Sequence, residues 1–290
     1  MINEFGEIKG SDGNILIRAW EVSIPAGKRG TRLHSHIRFE ITLINEGTGT
    51  YLINGKEHKI KKGEIFIIAS NEQHCVTNVE NGGLKMTNLH FEPRCLWGRS
   101  YDSLTDENIN FCFSHNKNFD NRIPCGKADN LTRIIYEITE EFKNRNKEYR
   151  LKIKSLLNLL LITLIRDHGY SKDTVSLKKD RFNCIRNAIK YIDSHLSEPM
   201  SLEKLSELSG MSPNYFSALF HNVSGITLWD YYNSRRIDNA IFLLKEKNEQ
   251  NILDIALACG FNNTANFNKA FKKATGTTPS KYRNSDDILL

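Results

Sequence analysis

The chain has 290 residues, room for two domains with separate cores, and an apolar fraction of 39%, which is ordinary for a globular protein. Its formal charge of +6 is of the sign a phosphate backbone attracts, although surplus surface lysine gives the same figure. Six scattered cysteines (Cys75, Cys95, Cys112, Cys125, Cys184, Cys259) form no CxxC pair, which argues against a disulfide frame or a zinc ribbon and for reduced thiols in the cytoplasm.

Residues 1 to about 95 read as β, and the opening MINEFGEIKG is polar without an apolar run, so no secretory signal is expected there. Short apolar runs then follow (ILIRAWEVS, FEITLI, TYLI, EIFIIA, LKMTNLHF), separated by turn chemistry. Asn54-Gly55 is a hairpin signal because both residues tolerate positive φ, and Lys62-Gly63 and Asn81-Gly82-Gly83 supply further breaks. Several short strands at this spacing predict a barrel or sandwich.

Within this β region His34, His36 and Glu40 stand at HxHxxxE spacing, and Gly47 lies seven residues beyond the glutamate. His74 falls eleven residues after Gly63, with Asn78 four further on. Together these segments resemble the two cupin motifs, whose histidines and glutamate bind a metal in enzymes of that family. The resemblance departs at Lys28, where a glycine is usual, and at Ala69-Ser70-Asn71, where Pro-x-Gly is usual. It implies that His34, His36, Glu40 and His74 bind a metal, line a pocket for a small effector, or brace the barrel. Three imidazoles and a carboxylate suit Fe, Mn, Ni or Zn. Arg18, Trp20, Arg38 and Tyr51, on neighbouring runs, are candidates for stacking or anion contacts and equally for ordinary packing. His58, His90 and His115 receive no role.

From about residue 128 the period becomes helical. Leu131, Ile134, Ile135, Ile138 and Phe142 mark one helix, and Tyr149–Asp167 a second, with Leu156, Leu157, Leu160, Leu161, Leu164 and Ile165 on its apolar face. The run Leu156–Ile165 is about half the ~20 residues a membrane span needs, so no membrane partner is expected. This helical pair can pack on the barrel, on each other or on a second subunit, and dimerisation is the expected role. The polar stretch 168–180 reads as a linker.

Residues 181–284 read as helical throughout and carry 13 Lys and Arg against 9 Asp and Glu, about four of the six surplus charges. They contain a repeat: Ser201–Gly225 and Asn251–Gly276 each read helix, glycine, helix. Leu202 matches Ile252, Leu205 matches Ile255, Gly210 matches Gly260, Phe216 matches Phe267 and Phe220 matches Phe271. This is the pattern of two helix-turn-helix units, whose second helix enters the major groove. Ser212 is placed to cap the first reading helix. Its inward residues are Phe216, Leu219 and Phe220, and its outer face holds Asn214, Tyr215, Ser217, Ala218 and His221. In the second, Phe267 and Phe271 point inward. Asn263, Thr264, Ala265, Asn266, Asn268, Lys269, Lys272 and Lys273 point outward, the lysines forming a cationic stripe. Between the units Thr227–Glu246 reads as one helix capped by Thr227, with Trp229, Tyr232, Ile237, Ala240, Ile241 and Leu244 as its apolar face. Some 20 residues at 1.5 Å rise span roughly 30 Å, near the ~34 Å turn of B-DNA. Arg235 and Arg236 on it are phosphate contacts or structural ion-pair partners.

Ile255-Ala256, Cys259-Gly260-Phe261, Asn266-Phe267, Phe271-Lys272, Gly276 and Thr278-Pro279-Ser280-Lys281-Tyr282-Arg283 together resemble the DNA-binding domain of AraC/XylS-type regulators. The resemblance implies base contacts from Asn214, Ser217 and Ala218 in the first unit and from Thr264, Ala265, Asn268 and Lys269 in the second. Ala218 offers only a methyl group, so the first unit is expected to read fewer bases.

The expected architecture is α+β and multidomain: a cupin-like β-barrel (jelly roll) over 1–127, a helical dimerisation pair over 128–167, a linker over 168–180, and an all-α tandem helix-turn-helix domain over 181–290. The expected function is promoter binding that responds to a small-molecule effector, with a carbohydrate among the candidates. The family resemblance favours an activator that works with RNA polymerase as a cytoplasmic homodimer. No catalytic residue is expected. The alternative is a metal-dependent cupin enzyme with an accessory DNA-binding domain.

Overall fold

The computed structural model describes residues 2–10, 15–27, 30–92, 95, 115–170, 179–224, 226–246 and 250–284. Its N-terminal half is one antiparallel sheet of β1 (Ile2–Lys9), β2 (Ile15–Ile24), β3 (Phe39–Ile53), β4 (Lys56–Ile60), β5 (Ile65–Ile68), β6 (His74–Phe91) and β7 (Arg122–Ile123). The order is β1-β2-β6-β3-β5-β7, with β4 on β3.

Two strands are much longer than the usual 5–6 residues: β3 has 15 and β6 has 18. Both bend. The first half of β3 pairs with β5 and the second half of β6, while its second half pairs with β4 and the first half of β6. Register shifts at Ile44/Glu46 and Gly47/Gly49 mark the corner. There Gly47 has φ +91°, and a Cβ on it would lie 2.0 Å from the Gly83 carbonyl oxygen, so only glycine fits. The bend folds the sheet on itself as a barrel. The runs FEITLI and TYLI are thus one strand, and Asn81-Gly82-Gly83 is a bulge within β6 rather than a break. The Asn54-Gly55 hairpin is present, with φ of 48° and 81° joining β3 to β4.

Alternation assigns side chains to two cores. Phe39, Ile41, Leu43, Leu89 and Phe91 face outward onto helices. Trp20, Ile44, Tyr51, Phe66, Ile68 and Met86 fill the barrel interior. The helices on the outer face are α1 (Asp129–Asn144) and α2 (Tyr149–His168), which bury Ile134, Ile138, Phe142, Ile153, Leu157, Leu160 and Leu164. They pack on each other and on the barrel. Leu151, Leu159 and Ile162 remain exposed on α2, and the exposed Tyr136 of α1 reaches Asn45 of the barrel at 3.5 Å.

The expected linker lies largely outside the described residues, at 171–178, while Lys179 and Asp180 already belong to α3 (Lys179–Ser194). The tandem units follow as α4 (Leu202–Leu208), α5 (Pro213–Ser224), α6 (Leu228–Glu246), α7 (Ile252–Ala258), α8 (Thr264–Thr275) and α9 (Pro279–Arg283). The first unit's core, through Ile185, Ile189, Leu205, Phe216 and Phe220, is continuous with the outer core of the barrel. The second has its own, around Ile237, Leu244, Ile255, Phe267, Phe271 and Tyr282. Among the described residues, no helix is long and apolar enough to cross a membrane.

Candidate functional site

Inside the barrel the predicted histidines and glutamate do come together. Glu40 is buried on the interior face of β3. Its Oε1 accepts from Thr42 Oγ1 (2.7 Å) and Tyr51 OH (3.0 Å). Its Oε2 lies 3.2 Å from His36 Nε2, 3.1 Å from His74 Nε2 and 2.8 Å from His90 Nε2. Burial alone would raise the Glu40 pKa; the imidazoles of His74 and His90 and the His36 bond outweigh it and hold the carboxyl well below its usual range. Such a buried carboxylate draws positive charge to itself. Burial would lower His74, yet the Glu40 carboxylate beside it carries its pKa above the ordinary histidine value. Burial, with His74 and His36 alongside, drives His34 well down, so its ring is neutral.

His90, given no role from sequence, is thus part of the cluster. Burial pushes its pKa down to about 3, and as a neutral ring it donates to Glu40. The signal that finds it is strand register: Glu40 and His90 are direct cross-strand partners of β3 and β6, fifty residues apart. His115 also has a partner, Glu72 Oε1 at 3.0 Å, and His58 Nδ1 lies 4.0 Å from Asp120.

The donor set fits a divalent transition metal. Nδ1 of His34, His36 and His74 lies 2.7, 2.9 and 2.8 Å from the carbonyls of Arg32, Arg38 and Glu72. A carbonyl only accepts, so each ring donates there and turns Nε2 toward the cluster. One ligating atom from each of these three rings lies within 4.8 Å of the others. Nε2 of His34 is buried with no hydrogen-bond partner, and His74 Nε2 is out of line for a bond to Glu40.

Of the other predicted pocket residues, Trp20 lies inside the barrel, edge-on to His90 at 4.5 Å, and Tyr51 holds Glu40. Arg18 stacks over Trp20 and pairs with Glu4. Arg38 points out of the barrel to Asp238 on α6, at 3.5 Å. With the interior filled by side chains, the cavity beside the histidines lies between the domains. It measures about 240 Å³ and is lined by Arg18, His34, His36, Arg38 and His90 on one side and by Asp238, Phe242 and Tyr282 on the other.

The two reading helices are built as expected at their inner faces, since Phe216, Phe220, Phe267 and Phe271 are fully buried. Ser201 and Asn251 cap the supporting helices, accepting from the Lys204 and Asp254 amides. Ser212 Oγ is in no hydrogen bond among the described residues, although the Ser212 carbonyl accepts from Phe216 N–H (2.9 Å). Asn263 is exposed as expected, and its side chain also caps α8, accepting from Asn266 N–H at 2.8 Å. Asn214, Tyr215, Ala218, Ala265, Asn266, Asn268, Lys269, Lys272 and Lys273 are exposed, and Ser217 and Thr264 half-buried. Lys273 is also tied to Asp230 on α6, at 3.1 Å. Burial would raise Asp230, but bonds from Thr227 and Lys273 hold it below the usual range.

The connector α6 has 19 residues and is capped by Thr227 as expected. Trp229 departs from its expected apolar face and is exposed, while Leu228, Tyr231 and Tyr232 are buried. Both arginines are structural. Arg235 is buried, bonding Asp193 on α3 and Glu92 at the end of the barrel, each at 2.9 Å. Arg236 lies over the Tyr232 ring and donates to the carbonyls of Leu196 and Glu198. A Cβ on Gly260, whose φ is +82°, would come within 2.5 Å of Arg236, which accounts for glycine at that turn.

Family models match this chain over both halves, an AraC-like ligand binding domain over residues 26–161 and a helix-turn-helix domain over residues 205–285. The chain is 25% identical over 255 residues to the HTH-type transcriptional activator RhaR of Klebsiella pneumoniae subsp. pneumoniae, covering 86% of each. It is 23% identical to RhaR of Shigella dysenteriae serotype 1, with the same coverage. Among solved structures it resembles ToxT from Vibrio cholerae, with a TM-score of 0.64, 16% identity and coverage of 92% of this chain and 98% of that one. ToxT with a bound unsaturated fatty acid matches with a TM-score of 0.61 and 13% identity, over 96% and 97% of the two chains. A cupin-like ligand-binding barrel joined to two helix-turn-helix units, with the matching family models lying over residues 26–161 and 205–285, makes this chain an AraC-family transcription regulator.

Proposed function

We propose that this chain is a cytoplasmic activator whose hold on promoter DNA changes when a small molecule occupies the cavity between its domains. The observation that carries this reading is the cavity itself, because both domains supply its walls. A ligand there touches the barrel and the connector helix at once, and so has the differential contact with domain arrangement that a shift in population requires. His34, His36 and His90 form its floor, with Arg18 and Arg38 at its rim, while Glu40, His74, Trp20 and Tyr51 hold the floor in place from inside the barrel.

Arg18, Arg38 and Asp238 offer the paired donors and acceptors that grip sugar hydroxyls, which supports a carbohydrate effector. A second class has its own support. Phe242 and Ile241 give the cavity an apolar wall beside two guanidinium groups, a lining suited to an organic or fatty acid, and a ToxT structure holds an unsaturated fatty acid.

On DNA, the exposed residues of α5 (Asn214, Tyr215, Ser217, Ala218) and of α8 (Thr264, Ala265, Asn266, Asn268, Lys269, Lys272) enter successive major grooves, with α6 as spacer. Lys273, already paired with Asp230, contributes to the phosphate-facing field rather than to base reading. Activation implies contact with RNA polymerase, in keeping with the activator relatives. The exposed Leu151, Leu159 and Ile162 of α2 support a homodimer formed through the helical pair, with residues 1–127 as the sensing unit and 181–290 as the DNA-binding unit. The test is a thermal-shift screen of sugars and organic acids, followed by DNA binding with each hit. A hit that shifts both the melting temperature and the DNA affinity supports the reading. A chain that binds DNA identically with every metabolite argues for an architectural binder.

A further inference from the structure

A second and larger cleft, of about 610 Å³, lies where α6, α8 and the turn between β5 and β6 meet. A volume of this size holds a whole small metabolite. Its wall takes Asn233 and Ser234 from α6, and Asn266, Lys269 and Lys273 at helical spacing from α8. The barrel closes it with Asn71 and Gln73.

That wall holds positive charge and donors that the protein itself does not satisfy. Lys273 is paired with Asp230 at 3.1 Å, but Lys269 and Arg236, which also lines the cleft, pair with no carboxylate among the described residues. Beyond its packing role, Arg236 is a buried cation, only 8% exposed, whose acceptors are all neutral: the carbonyls of Leu196 and Glu198 and the Tyr232 hydroxyl. Those bonds use Nε and Nη2, so Nη1 has no hydrogen-bond partner among the described residues. Burial draws the Arg236 pKa below the ordinary guanidinium value, and the groups that oppose the shift are Tyr232 and Cys259, not a carboxylate. Nδ2 of Asn71 is buried without a partner, while its Oδ1 accepts from Ser234 Oγ at 2.9 Å. A buried cation with no counter-ion and an unmet amide donor are both costly, and one oxyanion relieves both. A phosphate monoester offers several oxygens to a guanidinium, an ammonium and an amide at once.

We propose that this cleft binds a small phosphorylated sugar or polyol, its phosphate held by Arg236, Lys269 and Asn71 and its hydroxyls by the amides of Asn233 and Gln73. The site is separate from the cavity beside the histidines, which contains none of these five residues. A phosphate there neutralises Lys269 and covers the side of α8 that carries Asn266, so ligand and duplex compete for one helix face. That competition rests on the function proposed above; capture of the phosphate does not.

The test follows lysine acylation of the full chain by mass spectrometry, with inorganic phosphate and glucose 6-phosphate as probes and with glucose and sodium chloride of matched ionic strength as controls. Lys269 is expected to react at least threefold more slowly with glucose 6-phosphate and to be slowed less by inorganic phosphate, while the exposed Lys56 and Lys190 are unaffected. Asn71→Asp keeps a residue type that tolerates the φ of 65° found there and places a carboxylate in the wall. Gln73→Glu does the same from an exposed position. Each variant is expected to lose the protection, with unchanged far-UV circular dichroism. Glucose 6-phosphate is also expected to weaken duplex binding at least threefold in wild type and not in the variants. The proposal is overturned if neither phosphate probe protects Lys269, if chloride protects it equally, or if both variants are protected as wild type is. Protection with unchanged duplex affinity would overturn the competition, and protection in a chain that binds no duplex would leave the phosphate site standing and remove only the regulatory reading.

Discussion

Single residues in this protein are held by partners far away in sequence, and their chemistry follows from that. His90 is neutral in the fold, with its pKa at about 3, whereas the same residue in an unfolded chain takes a proton near 6.5. Between those values the unfolded chain binds more protons, so the His90 contribution to stability is intact above about pH 6.5 and declines as pH falls toward 3. Urea unfolding of the metal-free chain across that window is expected to show midpoints that fall on acidification, less steeply in His90→Gln. An equally steep fall in the variant would show that other groups set the slope. Cys259 is fully buried at the second turn, and burial pushes its thiol up to about 12. It is expected to resist alkylation in the native chain and to react on unfolding, a mass-spectrometric reporter of the second unit. On the outer face, Lys269→Ala is expected to cost ~1–3 kcal/mol of discrimination if the ammonium pairs with a guanine. Equal weakening on specific and random duplexes in anisotropy titrations would place Lys269 on phosphate alone.

Among the elements, α6 carries the mechanical load. Its Arg235 joins α3, the barrel and α6 through one buried guanidinium. Removing one partner of such a buried pair leaves uncompensated charge, and Arg235→Ala is expected to destabilise the chain by ~3–5 kcal/mol in denaturant. Arg235→Lys is expected to restore only part of this, because a point ammonium cannot replace the fork that reaches Asp193 and Glu92 together. Full recovery by lysine would contradict that geometry. What could be read from sequence follows the same logic of local against distant causes. The tandem units were legible because Leu205/Ile255, Gly210/Gly260 and Phe216/Phe267 repeat within short windows at helical period. Strands β1 and β4 lie within the region read as β but gave no run of their own, because Asn3, Glu4, Gly6 and Glu7 interrupt the apolar alternation of β1 and because Lys56, Glu57 and Lys59 are exposed on the short β4. Strands β3 and β6 looked like separate runs because their bends are made by polar residues and glycine. The motif histidines were found by spacing, while His90 and the pairing of Arg235 with Glu92 depend on register and domain docking, which no local pattern contains.

At the scale of the molecule, the barrel and the first helix-turn-helix unit share a continuous apolar core, and specific polar contacts add to it across the seam: Arg235 with Glu92, Arg38 with Asp238, Ser234 with Asn71, and Ser35 with Ala274. The cavity between the domains lies among them, so anything bound there acts on the seam. The 19 residues of connector α6 span roughly 29 Å at 1.5 Å rise, close to the ~34 Å turn of B-DNA, a length that in the proposed function sets α5 and α8 about one turn apart. The most direct test is selection of bound sequences from a random duplex library by the full chain. Enrichment of two short sequence blocks, with centres about one helical turn (~10.5 bp) apart and abolished by moving them ~5 bp, is expected if both helices read one face of the duplex. Enrichment of a single block indifferent to spacing, or of none, would contradict it.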